Sequence, residues 1–439
     1  MKLRKEMSEY REGMCLVRRH RGLLWSALIG TLLIVASTVV ASAEAQKIAF
    51  SPNSSNILFE RLVELFNEVH DNIEVELRII PGFSDAIPVQ VGAGVGPDVF
   101  FVHPADIQQW GGSGLLTDLT PYIERDRADL ALDQYFPAAL DLAQVGDRFY
   151  ALPYGVIEAG RVLYNADLLA AAGVATPDGD WTWPEYRELA RQLTRDVNGD
   201  GVIDQFGTTP PKWRTLVHYA LEEGGRFFTE ALDAFLPDRA PAVNAFEFMA
   251  TFHHDGIAGG DVSTLFPQGK VAFGLTHLPG AVHFGDLADD NFTVGNTTEP
   301  RHVNGARKIL VHTNMLGINP NISDERKEAA WAFIKWVNSP EGYARAGSES
   351  FGACQLVPAR RDVALSEYCT ATRLPWLRPE LSHHLILEGV IERTPAGFSQ
   401  IQRTFFDGWN RQVVSGNLAP AAFYDTVIAS INERLKQSQ

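Results

Sequence analysis

An aspartate-rich loop, DVNGDGVIDQFG at residues 196–207, has the residue types and spacing that bind calcium in proteins. Side-chain oxygens stand at the first, third, fifth and ninth positions, where such a loop holds the ion: Asp196, Asn198, Asp200 and Asp204. The twelfth position, which needs a bidentate Glu, is Gly207. Asn, Asp and Gly also favour plain turns, because they tolerate left-handed backbone. We therefore expect a connecting turn, with a structural Ca²⁺ site as the alternative.

The patterns that mark common enzyme sites are absent from the sequence. It has no His-Glu-x-x-His, Gly-x-Ser-x-Gly or Walker signature, so no machinery for zinc proteolysis, acyl transfer or ATP hydrolysis is visible. The glycines at 92, 94 and 96 precede a predicted strand, whereas a dinucleotide-binding loop follows one. A glycosidase is recognised by two carboxylates at a defined separation in space, and the sequence alone does not show that separation. We expect a protein that is not an enzyme, with a secreted glycosidase as the remote alternative.

Residues 1–45 have the three parts of a secretory signal peptide. A basic segment precedes an almost wholly apolar run over residues 22–40, and the small residues of ASAEAQ follow it. Cys15 lies before the apolar run, so it cannot be the lipid-bearing first residue of a mature chain. We expect export through a cleavable signal peptide and a periplasmic location.

Length and charge limit the classes of partner. The chain has 439 residues, enough for two domains with their own cores, and a net charge of −16. Such an acidic surface argues against nucleic acid or anionic lipid as a partner. Cys354 and Cys369 could pair in an oxidising compartment, but the sequence leaves their pairing open.

Alternating helical and strand patterns predict an α/β fold class. Residues 47–50 open as a short strand, and an apolar stripe with helical spacing predicts a helix over 58–69. Apolar and charged residues alternate over 73–79, which is typical of a half-buried strand. Residues 96–102, GPDVFFV, enter a strand that is apolar on both faces and is therefore predicted to be central.

Capping signals predict where two later helices begin. Thr182 and Glu185 have the spacing of a capping box, and Ser323 is followed by two acidic residues. Residues 308–318 lie between these helices and have the pattern of a strand. Residues 421–435 are predicted to form a last surface helix.

Seven sequence blocks, taken in order, resemble the sugar-type family of periplasmic solute-binding proteins, the relatives of maltose-binding protein. The blocks are GAGVGPDVFFV, WGGSGLLTDLTPYI, GDRFYALPYG, RVLYNADLLAAAGV, TWPEYRELARQLT, FPQGKVAFGL and KEAAWAFIKWVNSPEGY. The resemblance implies the two-lobed (type II) periplasmic binding protein fold. In that fold each lobe is a doubly wound, mainly parallel sheet with flanking helices, and three crossover segments join the lobes.

On this chain the resemblance implies one lobe at 46–156 and 307–353 and the other at 157–306 and 354–439. The expected crossovers, which act as hinges, lie near Gly155, Lys308 and Cys354. A solute in the cleft touches both lobes only in the closed form, so its binding favours closure. The membrane permease subunits of an ABC importer would recognise that closed form.

The resemblance also implies three ligand contacts. Glu158, counted back from the RVLYN block, aligns with a carboxylate that binds sugar hydroxyls in maltose-binding protein, and its alternative role is a hinge residue paired with Arg161. His103 and Asp106 follow the central strand at its C-terminal end, where open α/β sheets bind ligands. The alternative for Asp106 is a helix cap. The residues around this loop differ from those of maltose-binding protein, so maltose is not the expected ligand.

Sugars are held by aromatic faces under the ring and by polar groups that pair with hydroxyls. Four more residues fall near the expected cleft, each with plain packing as its alternative role: Tyr154, Trp213, His277 and Phe351. Together these features predict a monomeric protein that binds a mono- or oligosaccharide or a polyol, with no cofactor beyond the candidate Ca²⁺. The alternative is a non-sugar solute: a glycerol phosphate, a polyamine, an oxoanion or a metal ion.

Overall fold

The computed structural model describes residues 44–437, except for 55, 159, 289, 355, 379–380, 382–385, 387–388, 392 and 396. For Glu158 and Ser399 it describes the backbone alone. Nearly all of the expected signal peptide, residues 1–45, lies outside the described residues. Within the described ranges, no helix combines the length and the apolar character needed to cross a membrane.

The strands are short, and most of their residues are buried. In chain order they are β1 (Gln46–Ser51), β2 (Ile73–Leu77), β3 (Val99–Val102), β4 (Gln144–Val145), β5 (Arg148–Phe149), β6 (Leu152–Glu158), β7 (Arg161–Asn165), β8 (Phe206–Thr208), β9 (Val271–Thr276), β10 (Val294–Thr298), β11 (Leu310–Ile318), β12 (Val357–Pro358) and β13 (Val390–Ile391).

Helices connect the strands and cover their faces. The α-helices are α1 (Ile57–Val69), α2 (Phe83–Gly92), α3 (Pro104–Gly112), α4 (Thr120–Arg125), α5 (Arg127–Leu130), α6 (Pro137–Leu142), α7 (Ala166–Ala171), α8 (Trp183–Leu193), α9 (Trp213–Glu222), α10 (Arg239–His254), α11 (Val262–Leu265), α12 (Leu278–Asp286), α13 (Asp324–Val337), α14 (Arg345–Phe351), α15 (Arg361–Ala364), α16 (Glu367–Thr370), α17 (Phe398–Gly408), α18 (Pro420–Phe423) and α19 (Ala429–Gln437). Short 3-10 and π-helical segments occupy Leu132–Gln134, Pro340–Ala344, Trp409–Val414 and Tyr424–Ile428.

The larger sheet has the strand order β12-β6-β11-β3-β1-β2, and β13 pairs with the start of β11. All four residues of β3 are buried between β1 and β11, as the doubly apolar pattern predicts. The rings of Phe50, Phe66 and Phe333 meet at 5.1–5.2 Å between their centroids, so α1 and α13 pack together on this sheet.

The smaller sheet has the order β10-β7-β9-β8. Trp181, Tyr186 and Phe273 form one aromatic cluster that packs α8 against β9, with centroid separations of 5.3–5.5 Å. A ring of this size buries enough apolar area to dominate a local core. Each lobe of the fold is therefore built on its own sheet, and the two-lobed α/β class is confirmed.

Both sheets are mixed, which differs from the expected mainly parallel arrangement. β1 runs parallel to β2 and β3, whereas β11 runs antiparallel to β3 and β6. In the smaller sheet only β8 and β9 are parallel. The reason is topological, because β11 enters the larger sheet from the other lobe and not through a helix of its own lobe.

The chain passes from the larger to the smaller sheet between the end of β6 and the start of β7, and it returns over 299–309 to β11. Beyond Cys354, β12 and β13 still pair with the larger sheet. The expected lobe boundaries stay a prediction, because a hinge is defined by motion between lobes and not by strand pairing.

Local sequence signals predicted where these helices begin. Asn56 caps α1, Ser323 caps α13, and Thr182 with Glu185 forms the expected capping box of α8. The predicted last helix is interrupted by the π-helical segment Tyr424–Ile428, which a regular apolar stripe does not reveal. Cys354 and Cys369, whose pairing the sequence left open, form a disulfide.

Candidate functional site

A cavity of about 460 Å³, which we call the main cavity, lies at the ends of strands and helices from both lobes. The larger-sheet side contributes Asn53, Phe83, Ser84, Phe101, His103 and Asp106. The strands nearest the crossings contribute Ile157, His312 and Asn314, and the other side contributes Arg214, His277, Phe398 and Gln402. Its wall therefore brings together three of the residues singled out in the sequence: His103, Asp106 and His277.

His103 stands where β3 ends and α3 begins. Its Nδ1 accepts a hydrogen bond from the Ala105 N–H at 3.1 Å, so this histidine is the N-cap of α3. A nitrogen that accepts carries no proton, and the neutral ring therefore has its proton on Nε2. The His103 ring lies 5.8 Å from that of His312 on β11.

Asp106 lies in the first turn of α3 and lines the main cavity. It is not the helix cap, which was the alternative to a ligand role, because His103 has that position. Burial raises the pKa of the Asp106 carboxyl to about 6. At neutral pH the group is mainly ionised, and it can accept two hydrogen bonds from ligand hydroxyls.

His277 has the corresponding place in the smaller-sheet lobe, between β9 and α12. Its Nδ1 accepts from the Gly280 N–H at 3.0 Å and caps α12. Burial, together with the positive charge of Arg214, lowers the pKa of His277 to about 4. The ring is therefore neutral at pH 7, and its Nε2–H is a hydrogen-bond donor.

Arg214, His312 and Asn314 were not found by reasoning from sequence. Nη2 of Arg214 lies 3.4 Å from Nδ1 of His312, and its guanidinium lies 4.5 Å from the centre of the Trp213 ring. His312 and Asn314 stand two residues apart in β11, so both point to the same face. The sequence signal that could have identified His312 and Asn314 is the presence of polar side chains at alternate positions of an otherwise buried strand.

Three aromatic residues of the wall, Phe83, Phe101 and Phe398, were also missed. They come from α2, β3 and α17, which are distant in sequence. Each of them, read alone, is an ordinary core residue. Only the packing of both lobes shows that they share one cavity.

Tyr154 and Phe351 lie outside the wall of the main cavity. Tyr154 is buried with its ring 4.8 Å from that of Tyr343, and burial raises its pKa, partly offset by a hydrogen bond with the side chain of Asn314. Tyr154 therefore supports a wall residue from behind. Phe351, at the end of α14, packs against the main apolar core.

Trp213 lines a second cavity of about 180 Å³, which we call the side cavity. The two cavities share Arg214 and His277 and are therefore adjacent. The indole is mostly buried and packs against Phe398 at 5.7 Å between centroids. It is thus both a packing residue and part of a cavity wall.

Glu158 ends β6, and its backbone pairs with Val311. Its neighbour Ile157 lines the main cavity. The side chain of Glu158 lies outside the described part of the structure, so its contact with a ligand stays a prediction.

The aspartate-rich loop connects α8 to β8, and its side chains bind its own backbone. Asp196 accepts from the N–H groups of Gly199 and Gly201 at 2.7 Å, and these bonds lower its pKa. Asn198, Asp200 and Asp204 likewise each accept a backbone N–H bond. Among the described residues, no cluster of three or more His, Cys, Asp or Glu side chains is arranged to hold a metal ion. Calcium binding by the loop stays a prediction.

Gly207 explains why the loop departs from the calcium pattern at its twelfth position. A Cβ at this residue would lie 1.8 Å from the carbonyl oxygen of Ala190 in α8. The Gly207 N–H donates to Thr194 Oγ1 at 3.0 Å, which holds β8 against the end of α8. No side chain fits at this position, and a Glu there would break the packing of helix on strand.

Comparison with known protein families identifies one match over most of the chain. Residues 53–344 match the family model described as bacterial extracellular solute-binding protein. The matched range contains most of both sheets and all the wall residues of the main cavity except Phe398 and Gln402.

Two curated relatives match parts of the chain. An uncharacterized lipoprotein from Streptomyces antibioticus is 31% identical over 224 residues, which are 48% of this chain and 46% of the relative. A maltotriose-binding protein from Pyrococcus abyssi is 22% identical over 298 residues, 66% of this chain and 61% of the relative. The chain thus spans less than two thirds of the length of either relative.

The fold itself matches solved structures over nearly their whole length. An ABC substrate-binding protein from Listeria monocytogenes, solved in complex with cycloalternan, superposes with a TM-score of 0.76 and 21% sequence identity. The superposition covers 89% of this chain and 99% of that one. At this level of identity the likeness establishes the two-lobed fold.

Proposed function

The chain belongs to the bacterial extracellular solute-binding protein family, and from this premise we propose that it captures a neutral carbohydrate or polyol in the main cavity. The observation that carries this proposal is the composition of the wall. Aromatic rings from Phe83, Phe101 and Phe398 stand beside neutral hydrogen-bonding groups, among them Asn314 and Gln402. Sugars need both, an apolar face for the ring and planar polar groups for the hydroxyls.

The charges of the wall favour a neutral solute over the alternatives. Among the described side chains, Asp106 contributes one negative charge and Arg214 one positive charge, while His277 is neutral at pH 7. A phosphate would need an excess of cationic donors, and a polyamine would need a cage of several carboxylates. The relatives point the same way, since one is a maltotriose-binding protein and another was solved with cycloalternan.

We further propose that the protein is exported, acts as a monomer and delivers its solute to the permease subunits of an ABC importer. Family membership supports the extracellular location and the transport role. The solute would be released unaltered, because hydrolysis of a glycosidic bond needs two suitably spaced carboxylates. Asp106 is the one carboxylate that the described side chains place in the wall of the main cavity.

A thermal unfolding assay on the mature protein tests this function. The panel contains neutral mono- and oligosaccharides, polyols, glycerol phosphates and polyamines. A true ligand at a hundred times its dissociation constant should raise the free energy of unfolding by about 2.7 kcal/mol. We expect this from a saccharide or polyol. Stabilisation by only a phosphate or a polyamine would contradict the proposal, and turnover of a chromogenic glycoside would favour a glycosidase.

A further inference from the structure

A third cavity, of about 540 Å³, which we call the passage cavity, is larger than the main cavity. It is lined by Lys308, on the return from the smaller to the larger sheet, by β13 and by residues of the segment 225–232 that follows α9. It shares no lining residue with the main cavity or the side cavity. The proposed carbohydrate function gives it no role.

Apolar side chains make up much of the wall of the passage cavity. Leu221, Phe227 and Phe228 are buried, and Val390 and Ile391 are half-buried. The rings of Phe227 and Phe228 meet edge to face at 4.7 Å between their centroids, so their own packing fixes this part of the wall. It offers a preformed apolar surface to an occupant.

Leu232 extends this apolar wall in a backbone conformation that side-chain-bearing residues rarely adopt. Its φ is 59°, in the left-handed region. The carbonyl of Thr229 accepts the Leu232 N–H at 2.9 Å, and Thr229 Oγ1 accepts the N–H groups of Asp233 and Ala234 at 3.1 Å. The turn thus holds Leu232 in this conformation, and strain of this kind clusters at ligand-binding segments.

The charges that line the passage cavity favour an anion. In the part of the chain that the structure describes, the side chains of Lys308 and Arg393 form neither a hydrogen bond nor an ion pair. Arg226 is neutralised by Asp238, to which its guanidinium donates at 2.8 and 2.9 Å. Glu230 is the one carboxylate among the described lining side chains. In a chain of net charge −16, such an excess of cations beside an apolar wall is complementary to an anionic amphiphile.

We propose that the passage cavity binds a medium-chain carboxylate, with its aliphatic chain on the apolar wall and its carboxylate at Lys308 and Arg393. Two cationic donors match the two oxygens of one carboxylate. Glu230 would repel a doubly charged phosphate more strongly than a singly charged carboxylate. The volume equals that of about 18 liquid water molecules, which is ample for a chain of about eight carbon atoms. The inference is independent of the proposed carbohydrate function, because the cavities share no wall residue.

Calorimetric titration of the mature protein with octanoate and matched compounds tests the inference. Octanoate should bind saturably, and 1-octanol should bind at least about tenfold more weakly, because the charge-assisted hydrogen bonds are lost. Octylammonium should not bind, since it meets two cations. Butyrate, which lacks about four of the methylene groups, should bind about a hundredfold more weakly than octanoate.

Lys308→Met and Arg393→Met each remove one charge and keep a side chain of similar length. Each should weaken octanoate binding about tenfold and leave 1-octanol binding unchanged. Lys270→Met is the matched control, because Lys270 is exposed like the other two but lines none of the three cavities. All three variants should unfold at the temperature of the wild type, because the substituted side chains are exposed.

Four results would overturn the proposal. The first is the absence of saturable octanoate binding. The second is 1-octanol binding as tight as that of octanoate, or tighter binding of octyl phosphate, because the head group would then not be a carboxylate. The third is an octanoate affinity that neither Lys308→Met nor Arg393→Met changes. The fourth is displacement of octanoate by a saccharide that the protein binds, which would place octanoate in the main cavity.

Discussion

His103 and His277 each cap a helix with Nδ1, at related places in the two lobes. The cap fixes the ring against the backbone and leaves the proton on Nε2. A neutral histidine held in this way is a rigid donor, and it loses little side-chain entropy when a ligand binds. The helix caps of the two lobes therefore also serve the main cavity.

Asp106 leads to a prediction about the pH dependence of binding. Its pKa is raised to about 6, and a ligand hydroxyl donates to the ionised carboxylate. Saccharide affinity should therefore be highest above pH 6 and fall about tenfold as the pH drops to 5, because a charge-assisted bond is lost. Titration calorimetry from pH 5 to 8 measures this change.

Asp106→Asn should bind more weakly at pH 7 and with little dependence on pH. Asp129→Asn, at an exposed position in α5, is the control and should behave like the wild type. An unaltered affinity in Asp106→Asn would show that this carboxylate does not touch the solute.

Glu222 leads to a prediction about the stability of the fold. Its carboxylate accepts from Nε1 of Trp183 at 2.7 Å and from the Lys308 N–H at 3.1 Å, yet burial raises its pKa to about 8. At pH values between the ordinary pKa of a glutamate and about 8, Glu222 holds a proton in the folded chain and releases it in the unfolded chain. The free energy of unfolding should therefore fall by about 2–4 kcal/mol as the pH rises from 5 to 8.

Urea unfolding at several pH values measures this slope in the wild type and in Glu222→Gln. The variant should be less stable at pH 5, since the amide replaces one acceptor with a donor, but its stability should vary less over the same range. Parallel pH profiles for the two proteins would rule out Glu222 as the titrating group.

At the scale of elements, the aspartate-rich loop is a connection whose carboxylates serve its own backbone. The melting temperature of the protein should be the same in Ca²⁺ as in EDTA. Gly207 cannot supply the bidentate ligand of a calcium loop, and the Asp196 carboxylate already accepts hydrogen bonds from backbone N–H groups of the loop. Differential scanning calorimetry of the mature protein measures this. A rise with Ca²⁺ that is absent with Mg²⁺ would establish the site.

The disulfide joins Cys354, which lies between α14 and β12, to Cys369 in α16, with a sequence separation of 15 residues. Its removal in the double variant Cys354→Ser, Cys369→Ser should lower the free energy of unfolding by about 3 kcal/mol, because the unfolded chain gains entropy. Chemical unfolding measures this difference. Dithiothreitol should lower the stability of the wild type by the same amount and leave the variant unchanged, and equal stabilities would contradict the expectation.

At the scale of the whole molecule, the main cavity takes its wall from both lobes, so a bound solute links them. We expect small-angle scattering to show a smaller radius of gyration when the best saccharide of the panel is added, since contacts to both lobes favour the closed form. A sugar that does not stabilise the protein is the control. Identical profiles with and without the saccharide would contradict closure.

Much of the fold could be predicted from sequence because its signals are local. The capping box at Thr182 and the stripe over 58–69 each depend on residues within a few turns, and the structure places α8 and α1 accordingly. The antiparallel course of β11 could not be predicted in this way, since it is decided by pairing with β3 and β6, far away in the chain.

The candidate site was predicted only in part for the same reason. His103 and His277 stand directly after strands, and Asp106 follows in the first turn of α3. Sequence reveals such positions because loops at strand ends bind ligands. Phe398 carries no such local mark. Its place in the wall follows from neighbours brought in by the fold, such as Trp213.

The sequence by itself determined the α/β class, the beginnings of the helices and the resemblance to solute-binding proteins, because short-range spacing encodes these features. The tertiary structure alone decided which polar groups share a cavity, that Cys354 pairs with Cys369, and that Gly207 must remain without a side chain. Such facts depend on distances between segments far apart in the chain, and a linear pattern carries no measure of those distances.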